Sequence, residues 1–250
     1  MNENRGAGVH LFANLAGLEV GDGFPVRILG AINVSPESFY KGSIANDEDA
    51  LRQLVTQMDA DGADMIDVGA MSTAPYLETE ISEAEEIRRL LWAVGVLRAA
   101  TTLPISVDTK RSRVALAALD AGAAVINDVS GFRHDPAMAQ VAAQRAQGAI
   151  LMASENSPGA QDPIGRVRGL LQDSISRAVA AGLPEHRVVL DPGIGFFRDA
   201  AIPWHAWDCE VVRRLGELRV LGRPILVGVS RKSFIGKLIE KPDPSDRLAG

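Results

Sequence analysis

Residues 188–197 read VVLDPGIGFF and join a short apolar segment to a carboxylate and a flexible turn. The opening residues are the β-branched and apolar types of a buried strand. Asp191 ends that strand, Pro192 fixes the direction of the chain, and Gly193 and Gly195 supply backbone freedom and allow close approach. The segment therefore predicts a buried strand with a polar end, and the rest of the chain repeats this construction.

Short apolar segments alternate with helical stretches along the chain. We expect seven strands, at residues 26–32, 63–69, 103–108, 123–129, 148–154, 187–191 and 224–230. Between most of them apolar residues recur at spacings of three and four, as a one-faced helix requires. The alternation predicts parallel strands with right-handed crossovers and helices on the outside, which is an α/β fold. Strands that are apolar throughout imply burial on both faces.

The number of units favours a TIM (β/α)8 barrel over an open doubly wound sheet, although periodicity leaves the open sheet possible. No composition shift or linker divides residues 1–250, so we expect a single domain, with an N-terminal hairpin at about residues 9–25 capping the barrel floor. An eighth strand and helix are expected beyond residue 250, in a chain clipped there, because an unclosed barrel leaves two unpaired edges.

Composition and charge exclude several function classes. A net charge of −6 over 250 residues gives no support for binding to nucleic acid or to an anionic membrane. The single cysteine, Cys209, excludes an internal disulfide framework and suits a reducing compartment. The start of the chain lacks the pattern of a signal peptide, and no apolar run is long enough to span a bilayer. We therefore expect a cytoplasmic protein with small-molecule substrates.

Polar residues end six of the otherwise apolar strands. In a barrel these ends meet at one mouth, where catalytic groups come from several strands. Asp and Asn also cap the helix that follows, and for any one of these residues that interpretation is equally good. Convergence of all six favours a site. The strand-end residues are Asn33, Asp67, Asp108, Asn127, Asp191 and the run Ser230-Arg231-Lys232-Ser233.

These residue types favour a flat heterocycle with N–H donors over a metal cluster. Asp191 is a rigid acceptor, and no His or Cys occurs at metal-ligand spacing. The cations beside Ser233 indicate contact with an anion or a π face. Asn33 could take an oxygen-coordinated Mg²⁺ or a phosphate. The chain has no nucleotide-binding glycine motif and no serine-hydrolase elbow.

Six motifs, in order between Arg27 and Gly236, resemble the dihydropteroate synthase family: GAINVSPESF, ADMIDVGAMST, ISVDT, GAAVINDVSGF, VVLDPGIGFF and GVSRKSFIG. The last two are highly specific in combination. The resemblance implies an eight-stranded barrel that joins 6-hydroxymethyl-7,8-dihydropterin pyrophosphate to p-aminobenzoate and releases pyrophosphate, in folate biosynthesis. It also implies Mg²⁺ as cofactor, a homodimer and a target of sulfonamides.

The resemblance further assigns roles to individual residues. It places Asp108, Asn127, Asp191, Lys232 and Met152 around the pterin ring. It places Asn33 at the pyrophosphate and its Mg²⁺, and Thr73 at the phosphate end. The p-aminobenzoate pocket would be formed by Phe39, Pro75, Phe196 and Ser233. Asp108, Asp191 and Lys232 are the expected catalytic residues, in a dissociative substitution steered by charge.

Three departures from the family pattern stand out. The family usually has an Arg that grips pyrophosphate where this chain has Ala74. The fifth strand lacks the usual Met-His-Met run, and the chain ends before the usual Arg-x-His pair. The missing charge could come from Arg88, from Arg111 or from a residue beyond 250. We expect Arg111 itself to be a solvated helix residue.

Two alternative functions stay open. A pterin-dependent methyltransferase with a corrinoid partner would use equivalent Asp and Asn residues, but it would leave Lys232 and Ser233 without a clear role. A pterin-binding barrel that has lost catalysis is made plausible by Ala74.

Overall fold

The computed structural model describes residues 10–35, 47–71, 80–155, 162–198 and 201–248. Two strands, β1 (Phe12–Leu15) and β2 (Leu18–Gly21), form an antiparallel hairpin. A second sheet is entirely parallel, and its strands are adjacent in chain order. Its members are β3 (Leu29–Asn33), β4 (Met65–Gly69), β5 (Ile105–Asp108), β6 (Val125–Asp128), β7 (Gly148–Met152) and β8 (Val188–Asp191).

Helices follow most of the strands of the parallel sheet. The α-helices of the described residues are α1 (Glu48–Ala60), α2 (Glu83–Ala100), α3 (Ser112–Ala121), α4 (Met138–Arg145), α5 (Pro163–Ala180), α6 (Trp204–Arg213) and α7 (Ser233–Leu238). Short 3₁₀ helices cover Glu185–Arg187, Leu215–Leu221 and Pro244–Arg247. Side chains of Asp47, Ser82 and Asp162 accept a backbone N–H in the first turns of α1, α2 and α5, which explains where these helices begin.

The seventh predicted strand, residues 224–230, forms only a single parallel bridge, between Leu190 and Ile225. The Leu190 N–H donates to the Pro224 carbonyl at 3.0 Å, and the Leu226 N–H donates to the Leu190 carbonyl at 2.8 Å. Pro224 has no N–H with which to extend the ladder. The prediction of a full strand there is therefore wrong. The segment does lie beside β8, which is the place that the predicted seventh strand would take in the sheet.

Side chains alternate between the two faces of the parallel sheet, and the faces have different partners. Ile66 and Val68 of β4 and Val107 of β5 belong to the main core, together with apolar residues of the helices. Residues of the opposite phase pack against Ala13 and Leu15 of the hairpin in a second cluster. These interior residues are Met65, Val125, Ile150 and Val189. The hairpin thus covers one end of the barrel interior.

The same alternation turns the polar strand residues inward. Asp67 has the phase of Met65, Asn127 that of Val125, and Asp191 that of Val189. Asp108 joins this face because it pairs in register with Gly69 and Asn127. Apolar side chains therefore fill the interior near the hairpin, and polar side chains occupy it at the carboxyl ends of the strands. Six strands and one further bridge of this sheet lie within the described residues, so closure of the barrel stays a prediction.

Gly193 shapes the turn that follows β8. Its φ is +71°, and a Cβ there would lie 1.9 Å from the Ala153 carbonyl oxygen. The Gly193 N–H donates to Asp191 Oδ1 at 2.7 Å, and its carbonyl accepts the Phe196 N–H at 3.0 Å. Both the backbone conformation and the close approach require glycine. The turn therefore holds the Asp191 carboxylate in place.

We expect Gly193→Ala to lower the free energy of unfolding by at least about 2 kcal/mol. The alanine would have to adopt a left-handed backbone conformation, and its Cβ would clash with the Ala153 carbonyl oxygen. Denaturant unfolding followed by circular dichroism measures the change. Gly169→Ala is the matched control, because Gly169 lies inside α5 and a Cβ there would meet nothing within 4 Å. Alanine at that position is expected to stabilise the helix. Equal effects of the two substitutions would contradict this account of the turn.

Candidate functional site

Carboxylates and one lysine face each other at the carboxyl ends of the parallel strands. Asp67 lies on β4, Asp108 ends β5 and Asp191 ends β8, while Lys232 directly precedes α7. The Asp67 charge raises the pKa of both other carboxyls, and the Lys232 ammonium lowers them. The four groups therefore form one electrostatic cluster.

Asp108 is held at the mouth in a largely desolvated position. Burial of its carboxyl raises its pKa well above the ordinary value, the charges of Asp67, Asp128 and Glu86 add to this effect, and Lys232 opposes it. Its Oδ1 is buried and has no hydrogen-bond partner among the described residues. A carboxyl of this kind is prepared to bond a ligand rather than a neighbouring side chain.

Asn127 lies beside Asp108 on the next strand, and Asp67 orients its amide group through a hydrogen bond. The two residues are paired in register, and Asn127 Nδ2 donates to Asp67 Oδ2 at 3.0 Å. Asp67 is buried, and this burial raises its pKa, while the Ser106 hydroxyl and the Asn127 amide oppose the rise. Sequence reasoning put Asp67 at a strand end but gave it no role. The sequence did carry a signal for a role. Asp67 lies two residues before Gly69, and residues two apart in a strand face the same way, so both lie on the inward face.

Asp191 and Lys232 form the other half of the cluster. Burial raises the pKa of Asp191 to about 6, although the Gly193 N–H and Lys232 favour its ionised form. Burial lowers the pKa of Lys232, against the charges of Asp191, Asp208 and Asp108. Lys232 Nζ lies 4.8 Å from the centroid of the Phe196 ring, which is a cation–π contact.

Two residues that sequence reasoning missed support this half of the site. Asp208 of α6 accepts the Gly195 N–H at 2.9 Å, and burial raises its pKa to about 6. Arg198 donates to Ser233 Oγ at 2.9 Å and lies 4.4 Å from the centroid of the Trp204 ring. Both lie outside any recognisable motif, so only their contacts reveal them. Together they hold the Gly195 turn and Ser233 next to Lys232.

The remaining predicted residues fall in three places. Asn33 ends β3 beside Gly69, and its Oδ1 accepts the Ser35 N–H at 2.8 Å. Met152 is buried and pairs in register with Asp191. The other predicted residues, Phe39, Thr73 and Pro75, lie outside the described residues. The structure thus brings the predicted pterin-binding residues to one end of the barrel.

Arg111, predicted to be solvated, is held by carboxylates instead. Its side chain is 14% exposed, and Nη1 donates to Glu86 Oε2 at 2.7 Å and to the Ile81 carbonyl at 2.9 Å. Glu86 is 1% exposed and also accepts the Thr109 hydroxyl at 2.6 Å. The pair ties the start of α3 to the start of α2. The expectation was wrong because the local run DTKRSR gives no sign of a buried carboxylate 25 residues away.

Within the parts of the chain that the structure describes, no group of three or more His, Cys, Asp or Glu side chains could hold a metal ion. The helices of those same parts include none long and apolar enough to cross a membrane.

Comparisons with known proteins identify the family of the chain. The family model described as pterin binding enzyme matches residues 29–250. The chain is 38% identical over 231 residues to the dihydropteroate synthase of Synechocystis sp., with 89% of this chain and 78% of that protein covered. It is 37% identical over 223 residues to the Bacillus subtilis enzyme, covering 89% and 76%.

Solved structures confirm the fold class. The dihydropteroate synthase of Xanthomonas albilineans with 4-aminobenzoic acid superposes with a TM-score of 0.84 at 33% identity, covering 96% of this chain and 85% of that one. The Yersinia pestis enzyme in complex with a sulfonamide drug superposes with a TM-score of 0.85 at 32% identity, covering 96% and 86%. The chain therefore belongs to the dihydropteroate synthase family of pterin-binding enzymes.

Proposed function

We propose that this chain joins 6-hydroxymethyl-7,8-dihydropterin pyrophosphate to p-aminobenzoate and releases pyrophosphate, as a dihydropteroate synthase of folate biosynthesis. The observation that carries the proposal is the convergence of Asp108, Asn127, Asp191 and Lys232 at one end of the barrel. The Xanthomonas albilineans relative has been solved with 4-aminobenzoic acid and with 7,8-dihydropteroate, which supports this substrate class.

The cluster matches the hydrogen-bonding edge of a pterin ring. Such a ring presents an amino group and ring N–H groups as donors, next to carbonyl and ring-nitrogen acceptors. Asp108 and Asp191 accept, Lys232 donates, and Asn127 can do both. Met152 supplies an apolar surface for the ring. A ligand of this shape gives Asp108 Oδ1 the partner that the described residues do not supply.

The reaction requires control of charge more than proton abstraction. The C–O bond to pyrophosphate breaks and its electron pair leaves with the pyrophosphate. The arylamine nitrogen then forms the new C–N bond and loses one proton to the solvent. Because the arylamine is neutral at pH 7, no strong general base is needed. Ionised Asp108 and Asp191 stabilise the positive charge that develops on the pterin as the C–O bond breaks.

We include Mg²⁺ in the proposal, with Asn33 as a protein ligand and Thr73 as a contact to the phosphates. An amide oxygen at a strand end suits an ion that takes most of its ligands from water and substrate phosphates. When bound, Mg²⁺ would neutralise charge on the departing pyrophosphate.

The p-aminobenzoate pocket is proposed to lie on the Lys232 side of the mouth. Phe196 contacts Lys232 through its ring, and Ser233 directly follows Lys232 in the chain. Phe39 and Pro75 would complete the pocket.

The proposal also includes a homodimer, which is carried over from the family resemblance. It includes a cytoplasmic location, which the single free thiol of Cys209 suggests. Sedimentation equilibrium measures the oligomeric state.

Pyrophosphate release is expected only when both substrates are mixed with the chain and Mg²⁺. Asp108→Asn should lower turnover by about a hundredfold to a thousandfold, because it removes charge stabilisation in the transition state. Asp173→Asn is the control, since Asp173 is an exposed residue of α5. Thermal melts followed by circular dichroism should show that both variants fold. Near-wild-type turnover in Asp108→Asn would remove this residue from the mechanism.

The same assay separates the alternatives. Pterin binding by calorimetry without pyrophosphate release would favour a barrel that has lost catalysis. Methyl transfer from methyl-tetrahydrofolate to a corrinoid, without pyrophosphate release, would favour the methyltransferase.

Activity is expected to fall in acid because Asp191 must be ionised to bind the pterin. Its pKa is about 6, so kcat/KM for the pterin substrate should fall by at least about tenfold per pH unit below that value, since the raised pKa of Asp108 can only steepen the loss. Initial rates between pH 4.5 and 8 measure this. A profile that is flat down to pH 5 would contradict the assignment.

Thermal melts over the same range test whether acid unfolding explains the loss. The pKa of Asp191 in the folded chain lies above its ordinary value of 3.8, so folding favours the protonated form. The stability contribution of this carboxyl is therefore present below pH 3.8 and is lost as the pH rises through about 6. Protonation of Asp191 should thus lower activity without lowering the melting temperature.

A further inference from the structure

Asp67 is connected to the proposed pterin site by a hydrogen bond with Asn127. Its Oδ2 accepts Nδ2 of Asn127 at 3.0 Å, and the residue is 8% exposed. Asp67 lies on β4 and Asn127 on β6, so the bond crosses the inner face of β5. In register, Asp67 pairs with Ser106, two residues before Asp108. Asp67 therefore lies one layer deeper than the side chains at the mouth.

The partner of an asparagine amide decides which way the amide faces. An amide carries an acceptor oxygen and a donor nitrogen, and its two flipped orientations have nearly the same shape. The carboxylate oxygen of Asp67 accepts a hydrogen bond, so it selects the orientation with Nδ2 toward β4. One oxygen of Asp67 can accept in either protonation state. The Asn127 oxygen is then directed away from Asp67. It has no hydrogen-bond partner among the residues that the structure describes, so it is available to accept from a ring N–H.

The choice of a carboxylate at this depth is difficult to explain by folding alone. Met65 lies on the same inward face of β4, two residues earlier, and belongs to the apolar cluster that fills the interior. A buried carboxyl is less favourable than an apolar side chain of similar size unless its hydrogen bonds compensate. The desolvation of Asp67 that raises its pKa is a measure of this penalty.

We propose that Asp67 is a positioning residue that fixes the amide of Asn127 with its oxygen toward the pterin ring. The inference rests on the proposed function, since it assumes that Asn127 contacts the pterin. Asp67 itself is not assigned a contact with the substrate. Its effect is on pterin affinity, with p-aminobenzoate affinity unchanged once the pterin is bound.

A double-mutant cycle on pterin binding tests the proposal. Isothermal titration calorimetry with the pterin pyrophosphate is carried out on the wild type, Asp67→Asn, Asn127→Ala and the double variant. Asn at position 67 can offer either an oxygen or an NH₂ group, so it no longer selects one flip. Each single change is expected to weaken pterin binding by about tenfold, and the double variant by no more than about threefold beyond Asn127→Ala.

Two further measurements separate positioning from a loss of structure. Thermal melts at pH 8 should show Asp67→Asn at least as stable as the wild type, because the change removes a buried charge. The KM for p-aminobenzoate at saturating pterin should stay within about twofold of wild type in this variant. If Asp67→Asn does not fold, Asp67→Ser takes its place, since a hydroxyl donates as well as accepts and fixes neither flip.

The outcomes are distinct. Wild-type pterin affinity in Asp67→Asn overturns the inference and leaves the proposed function standing. Equal tenfold losses from Asp67→Asn in the presence and absence of the Asn127 side chain also overturn it, because Asp67 would then act independently of Asn127. A wild-type chain that binds no pterin overturns the proposed function, and this inference with it.

Discussion

The two-residue period of the parallel strands is the constraint on which the site depends. Along β6 and β8, one phase puts Val125 and Val189 in the apolar interior and puts Asn127 and Asp191 at the mouth. If a strand slipped by one residue in its register, its apolar interior residue and its polar mouth residue would both turn to the outer face. The apolar layer against the hairpin therefore fixes the register that presents the polar layer. Packing near the hairpin and ligand binding at the mouth are two consequences of one alternation.

The charged groups at the mouth are desolvated at a cost in free energy, and a bound ligand can offset that cost. Desolvation raises the pKa of Asp108 and Asp191 and lowers the pKa of Lys232, so the charged form of every one of these groups is disfavoured. Their mutual attraction offsets this only in part. A flat ring with several N–H donors would supply hydrogen bonds to the ionised carboxyls and exclude the remaining water. The same arrangement stabilises positive charge on that ring more strongly than water does.

Local pattern in the sequence was sufficient to predict the strand order, the outer helices and the polar ends of β3, β5 and β8, whereas Asp67 lies inside β4 and not at its end. Those features depend on residues close together in the chain, as in VVLDPGIGFF. Contacts between distant segments were not predictable in this way. Asp67 is joined to Asn127 across 60 residues, and Gly195 is held by Asp208 on a helix without any motif. The short pairing of residues 224–230 also escaped prediction, because apolar composition does not show how long a ladder will be.

The contacts of Arg88 and Arg111 bear on which of them could replace the arginine that the family resemblance implies at the position of Ala74. Arg111 is the main ionic partner of Glu86. Among the described residues, its departure would leave the Glu86 carboxylate, which is 1% exposed, with the Thr109 hydroxyl as its remaining bond. Removing one partner of a buried pair in this way is strongly destabilising.

Arg88 is under no such restraint. Its side chain is 70% exposed, and its partner Glu85 also accepts a hydrogen bond from Arg89 at 2.7 Å. Glu85 would therefore stay paired if Arg88 turned toward a bound anion. The two hydrogen bonds that Arg88 gives up belong to a solvated ion pair, which contributes little to stability. Of the two arginines, only Arg88 can change partners without leaving a buried charge behind.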